Sequence, residues 1–157
     1  MADRLALHGG VPVRASMLPY ARQTVDEVDV HAVTEALQSD WLTSGPAVDA
    51  FERAVASRVE ARHAVAVSSG TAALHAAVFA AGIGEGDEVV TSPLTFAASA
   101  NAVLYQRGRP VFADIRSDTL ALDPVDVAAK LTGRTRAVLP VDFAGTPIRI
   151  QVRRRAK

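Results

Sequence analysis

At 157 residues, 49% hydrophobic and 22% charged, the chain has the size and composition of one ordinary globular domain. It contains no cysteine, which excludes a disulfide framework, thiolate chemistry and a Cys-ligated metal site. The formal net charge of zero conceals a segregation: residues 1–148 carry 12 basic against 17 acidic side chains, and Arg149, Arg153, Arg154, Arg155 and Lys157 add five positive charges at the end.

Residues 1–8 lack the apolar core of a signal peptide, and no apolar run reaches the roughly 18 residues of a membrane span. A cytoplasmic protein without a membrane partner is expected. Residues 5–20, with Gly9-Gly10, Pro12 and Pro19, read as an extended arm. Thr24 and Glu27 fit a capping box, opening a helix whose Val25, Val28, Val33, Ala36 and Leu37 predict one buried face, ending by Asp40. Pro46 suits the first position of a second helix, with Val48, Phe51, Val55 and Val59 as its buried stripe.

Residues 64–67 read as a short buried strand. Ser68-Ser69-Gly70-Thr71 then makes a tight turn into a helix that is apolar on nearly every side. A helix start entered this way leaves free N–H groups beside the positive end of the helix dipole, a setting suited to phosphate. Ser69 or Thr71 could equally serve as a plain N-cap. Residues 82–87 are a turn and 88–91 a second strand. Thr95 is placed to cap a helix striped with Phe96, Ala100, Val103 and Leu104 and ended by Gly108. Strands at 110–113 and 136–141 flank a helix capped by Asp123, with Pro124 at its first position. Alternating strands and helices predict an α/β fold, a mostly parallel sheet with flanking helices.

Five stretches, LALHGGVPVR at 5–14, WLTSGPAVDAFE at 41–52, AVSSGTAAL at 66–74, GDEVVTSPLTFAASANAVLYQRGRPVFADI at 86–115 and AVLPVDFAGTP at 137–147, come in the order and spacing of one family. Through them the chain resembles the N-terminal part of a DegT/DnrJ/StrS-type sugar aminotransferase. The wording SPLTFAASANAVLYQ is most similar to the branch making 4-amino sugars for pseudaminic acid and related surface glycans. The resemblance implies part of the large domain of a fold-type-I transferase over residues 1–147, which uses pyridoxal 5′-phosphate. Its partners would be a nucleotide-linked keto sugar and an amino-acid donor, and the full-length form would be a homodimer.

Residue by residue, the resemblance implies that Gly70, Thr71 and Ala72 bind the cofactor phosphate and that Phe96 lies against its pyridine ring. Without it, Phe96 reads as core. Leu42, Thr43, Ser44 and Gly45 match a loop near the substrate; the plain reading is an interhelical turn with Trp41 packed beneath. Asp142 has two readings, an approach to the site from the end of the fourth strand or a cap on the next turn.

Transamination also needs a lysine to hold the cofactor as a Schiff base and a carboxylate on its ring nitrogen. In the family both lie beyond the segment matched by VDFAGTP. Here the lysines are Lys130, on a surface helix, and Lys157, the last residue, and neither matches the catalytic position. No catalytic or metal-ligating residue is therefore assigned. Residues 148–157 read as an unrelated basic tail, the mark of a truncated or frameshifted frame, since Arg outnumbers Lys 15 to 2 as in GC-rich coding sequence. With one short cluster and no aromatic residue, the tail carries no expectation of nucleic-acid binding. A helix start contributes about 0.3–1 kcal/mol and an aromatic stack about 0.5–1.5 kcal/mol, against the roughly 4 kcal/mol of millimolar affinity. Weak or absent cofactor binding and no activity are expected of the chain alone. Two other identities stay open, a fragment of a pyridoxal-phosphate-dependent sugar dehydratase and the non-catalytic half of a split enzyme.

Overall fold

A computed structural model describes residues 4–19 and 21–148, in two compact units, Met1–Ala64 and Val65–Lys157. Tyr20 and the basic segment from Arg149 onward lie outside the described residues.

The first unit holds a 3-10 turn, Ala6–His8, and helices α1 (Glu27–Gln38) and α2 (Pro46–Arg58). The capping box of α1 is set by Asp26 rather than by Thr24 and Glu27. The Asp26 carboxylate accepts from the N–H groups of Val28 at 2.9 Å and Asp29 at 3.1 Å, and the Asp29 carboxylate accepts from the Asp26 N–H at 3.0 Å. Two overlapping registers of the same pattern compete here, and charged acceptors at the positive helix end prevail. Pro46 opens α2 as expected. The predicted buried faces differ. Val25, Val28, Val33 and Leu37 are exposed, as are Val48, Phe51 and Val59, and Ala56 is the buried residue of α2. Apolar spacing marks a face able to be covered; it does not supply the cover.

The second unit contains α3 (Gly70–Ala80), β1 (Glu88–Thr91), α4 (Ala98–Tyr105), β2 (Arg109–Phe112), α5 (Pro124–Lys130) and β3 (Thr135–Leu139). The strands form a parallel sheet in the order β2-β1-β3, with Val90 beside Val111 on one side and Val138 on the other. Every residue of β1 is buried. Successive side chains face opposite ways. Val89 packs with Val78 and Ile83 and with Ala102 and Val103 of α4, while Val90 packs with Ala113, Leu122 and Val127 of α5. Helices thus cover both faces, as a parallel sheet requires.

Glu88 opens β1 with a fully buried side chain. Its carboxylate accepts from Thr132 Oγ1 at 2.7 Å, Arg109 Nη2 at 2.7 Å and Arg134 Nε at 2.8 Å, so one charge joins the start of β2 to the turn before β3. Asp87 adds a bond from Arg136 Nε at 3.1 Å.

Four expectations are corrected. Residues 64–67 belong to no strand: β1 has β2 and β3 on its two sides, neither outer edge takes up the segment, and Val65 is 79% exposed. Helix α4 begins at Ala98 after an uncapped Ala97, because the Thr95 hydroxyl bonds Ser99 Oγ instead. It ends at Tyr105, although the Gly108 N–H still closes on Val103 O at 3.1 Å. The outer strands begin one residue earlier than expected, at Arg109 and Thr135. Asp123 and Pro124 start α5 as expected. Asp142 makes no side-chain cap on the 3-10 turn Phe143–Gly145 that follows it; its carboxylate instead accepts the Ile148 N–H at 3.0 Å, beyond that turn.

The hydrogen bond from Thr132, then those from Arg109 and Arg134, hold the Glu88 carboxyl down at about 2 from an ordinary 4.5, against the opposing effect of burial. Its stabilising contribution is complete above pH 4.5 and is lost as pH falls toward 2. Urea unfolding of wild type and Glu88→Gln is therefore expected to show wild type more stable near neutrality, with the gap closing over that interval. A gap independent of pH would contradict it.

Candidate functional site

The start of α3 forms one wall of the site. Ser69 is extended, and its Oγ accepts the Ala72 N–H at 3.2 Å while its carbonyl accepts the Ala73 N–H at 3.0 Å. A helix leaves its first N–H groups without intrahelical partners. Ser69 satisfies that of Ala72, while the N–H groups of Gly70 and Thr71 show no protein acceptor among the described residues. Gly70 keeps this place open, since a Cβ added there would meet no protein atom within 4 Å. Both capping and donor presentation thus occur at one turn, on different residues.

Phe96 also lines the site. It lies on the segment that leaves the carboxyl end of β1, the end of a parallel sheet where ligands bind in open α/β folds. The residue is 78% exposed, so the core reading of Phe96 does not hold. Gly70, Thr71, Ala73, Leu74 and Ala77 of α3, with Phe96 and Ala98, line one open cleft of about 670 Å³. Ala72 does not line it, its N–H being turned to Ser69. The small residues at 73 and 77 let the cleft run along α3; their spacing is visible in the sequence, but in an all-apolar helix it reads as core.

This cleft pairs hydrogen-bond donors at a positive helix end with an aromatic face, which fits a planar ring bearing a phosphate. None of its lining side chains titrates. Such a lining can hold and orient a ligand, and it offers no group that could take or give a proton at neutral pH.

Leu42, Thr43, Ser44 and Gly45 belong to the first unit, between α1 and α2. Ser44 is held at φ 51°, an uncommon conformation for a residue with a side chain. Gly45 must lack a Cβ, which would stand 2.5 Å from Trp41 Cβ. The turn presents two exposed hydroxyl-bearing residues, Thr43 and Ser44, and Trp41, expected to pack beneath it, is itself 62% exposed although its Cβ lies against Gly45. Lys130 is exposed at the end of α5, which packs on the sheet face opposite α3 and α4; Lys157 lies outside the described residues.

The model of the DegT/DnrJ/EryC1/StrS aminotransferase family matches residues 23–156, a span that runs past Pro147 into the basic segment. The spore coat polysaccharide biosynthesis protein SpsC of Bacillus subtilis is 50% identical over 135 residues, which are 86% of this chain and 35% of that protein. Among solved structures, DesV from S. venezuelae superposes with a TM-score of 0.72 at 39% identity, over 76% of this chain and 32% of that one. Spr1654 from Streptococcus pneumoniae, solved in PLP and PMP forms, gives a TM-score of 0.78 at 29% identity, over 83% of this chain and 33% of that one. The chain spans about a third of the length of these relatives.

Removing the cap separates the two functions of the turn. Ser69→Ala is expected to cost about 1 kcal/mol in urea unfolding while phosphate still shifts the Gly70 and Thr71 amide signals in NMR spectra. Loss of those shifts in a folded Ser69→Ala protein would show that the donors are not independent of the cap.

Proposed function

This chain belongs to the DegT/DnrJ/EryC1/StrS aminotransferase family, and we propose that it forms the cofactor-holding part of a pyridoxal-phosphate-dependent sugar aminotransferase. The observation that carries this reading is the shared cleft of Gly70, Thr71 and Phe96. Pyridoxal phosphate, when bound, supplies the electron sink for moving an amino group from an amino acid to a keto sugar.

The chain's own residues bind and orient. The N–H groups of Gly70 and Thr71 and the Thr71 hydroxyl hold the phosphate at the helix start, with Ala72 shaping the turn through its bond to Ser69. Phe96 supports the ring face, so phosphate and ring are fixed from two elements of one unit. The turn of Leu42, Thr43, Ser44 and Gly45 offers its hydroxyls and a close backbone approach to a nucleotide-linked sugar. An amino sugar for a surface polysaccharide is the product class, in keeping with the name of SpsC. A cytoplasmic homodimer with an amino-acid donor completes the reading. No helix among the described residues is long and apolar enough to cross a membrane.

Holding is separate from turnover. The cleft lining carries no titratable group, and Lys130 is exposed on the other face of the sheet. The 157-residue chain alone is accordingly proposed to bind the cofactor weakly and not to transaminate. Titration with pyridoxal phosphate is expected to give a Kd of about a millimolar or weaker, weakened about two- to tenfold in Phe96→Ala, with no amino sugar formed from glutamate and a UDP-keto sugar. Micromolar binding, or turnover by this chain, would contradict the proposal.

A further inference from the structure

Phe96 poses a physical problem that the cofactor reading leaves open. A residue 78% exposed is not fixed by packing, yet a stacking platform must keep its place. Helix α4 also starts without the usual device, since Ala97 sits in the N-cap position in a helical conformation and provides no side-chain acceptor.

Two hydroxyls occupy that gap. Thr95 Oγ1 and Ser99 Oγ lie 2.8 Å apart across the first turn, and the Ser99 N–H donates to the Phe96 carbonyl at 3.1 Å. Ser99 thus grips both sides of Phe96, the preceding side chain through its hydroxyl and the carbonyl through its amide. Ser99 itself is buried, on a helix whose Ala102 and Val103 are fully buried against β1. One step upstream, Ser92 Oγ accepts the Leu94 N–H at 3.0 Å, and Thr91 Oγ1 donates to Leu139 O at 2.8 Å, anchoring the segment to β3.

We propose that the Thr95–Ser99 hydroxyl pair is the positioning device of this site, fixing the backbone on which Phe96 presents its ring to the cleft. Neither residue lines the cleft; both act through Phe96. The inference rests on the cofactor reading, and it adds residues that hold the ring platform rather than the ligand.

The test uses the full chain, two probes and NMR titration, which reads weak binding. Inorganic phosphate reports the helix start alone. Pyridoxine 5′-phosphate, which has no aldehyde to react with amines, reports helix start and platform together. Wild type is expected to favour pyridoxine 5′-phosphate about two- to tenfold. In Thr95→Val, which keeps the branched shape without the hydroxyl, that preference falls to about one while phosphate binding is unchanged; Thr95→Ser restores it. Equal binding of both probes by wild type would overturn the cofactor reading and this inference with it. A preference that persists in Thr95→Val would overturn the positioning role alone. Loss of both probes in Thr95→Val would also overturn it, by showing that the pair supports the fold and not the ring.

Discussion

One carboxylate sets the conditions under which the second unit can form. Strand β1 is buried along its whole length, and its first residue is Glu88. An ionised group so placed is tolerated only when paired and hydrogen-bonded, and Glu88 is met by Arg109, Arg134 and Thr132. Those partners come from the start of β2 and from the turn that leads into β3. The carboxylate therefore fixes which strands lie beside β1 and where they begin, and the register break opposite β3 falls at that same point, between Glu88 and Val89. The same cluster leaves Arg109 and Arg134 at the amino end of the sheet, away from the site.

The carboxyl end of the sheet is left for binding. From Thr91 onward the chain changes from a buried strand to a hydroxyl-rich segment, Ser92, Thr95 and Ser99, that carries Phe96 outward. Helices α3 and α4 share the apolar cluster around Val89, so the helix start with its free donors and the segment bearing the aromatic ring are mounted on one face. This separation of structural charge at one end from neutral groups at the other leaves the cleft lined by side chains that do not exchange protons.

Much of this was legible in the residues, and the exceptions have physical causes. Ser69, Gly70 and Thr71 announce a donor-rich helix start because the turn, the missing side chain and the cap are local. Phe96 is ambiguous in the sequence, since an aromatic at helical spacing reads as core; only its place before α4, in a segment held by hydroxyls, turns it outward. Glu88 gave no signal as a buried group, because a glutamate after Gly86-Asp87 reads as a solvated strand end until its arginines arrive from 21 and 46 residues away. The Thr24 box failed to a neighbouring register of the same pattern. The stripes of α1 and α2 and the run at 64–67 are apolar in the sequence yet largely exposed in this chain, because periodicity names a surface to be covered and is silent about what covers it.

On the proposed reading, one cleft binds the two ends of one ligand. A crystal structure of the chain with pyridoxine 5′-phosphate tests it most directly. The expected result places the phosphate within hydrogen-bonding distance of the Gly70 and Thr71 N–H groups and the pyridine ring against Phe96. A phosphate bound elsewhere, or a ring turned away from Phe96, would contradict it.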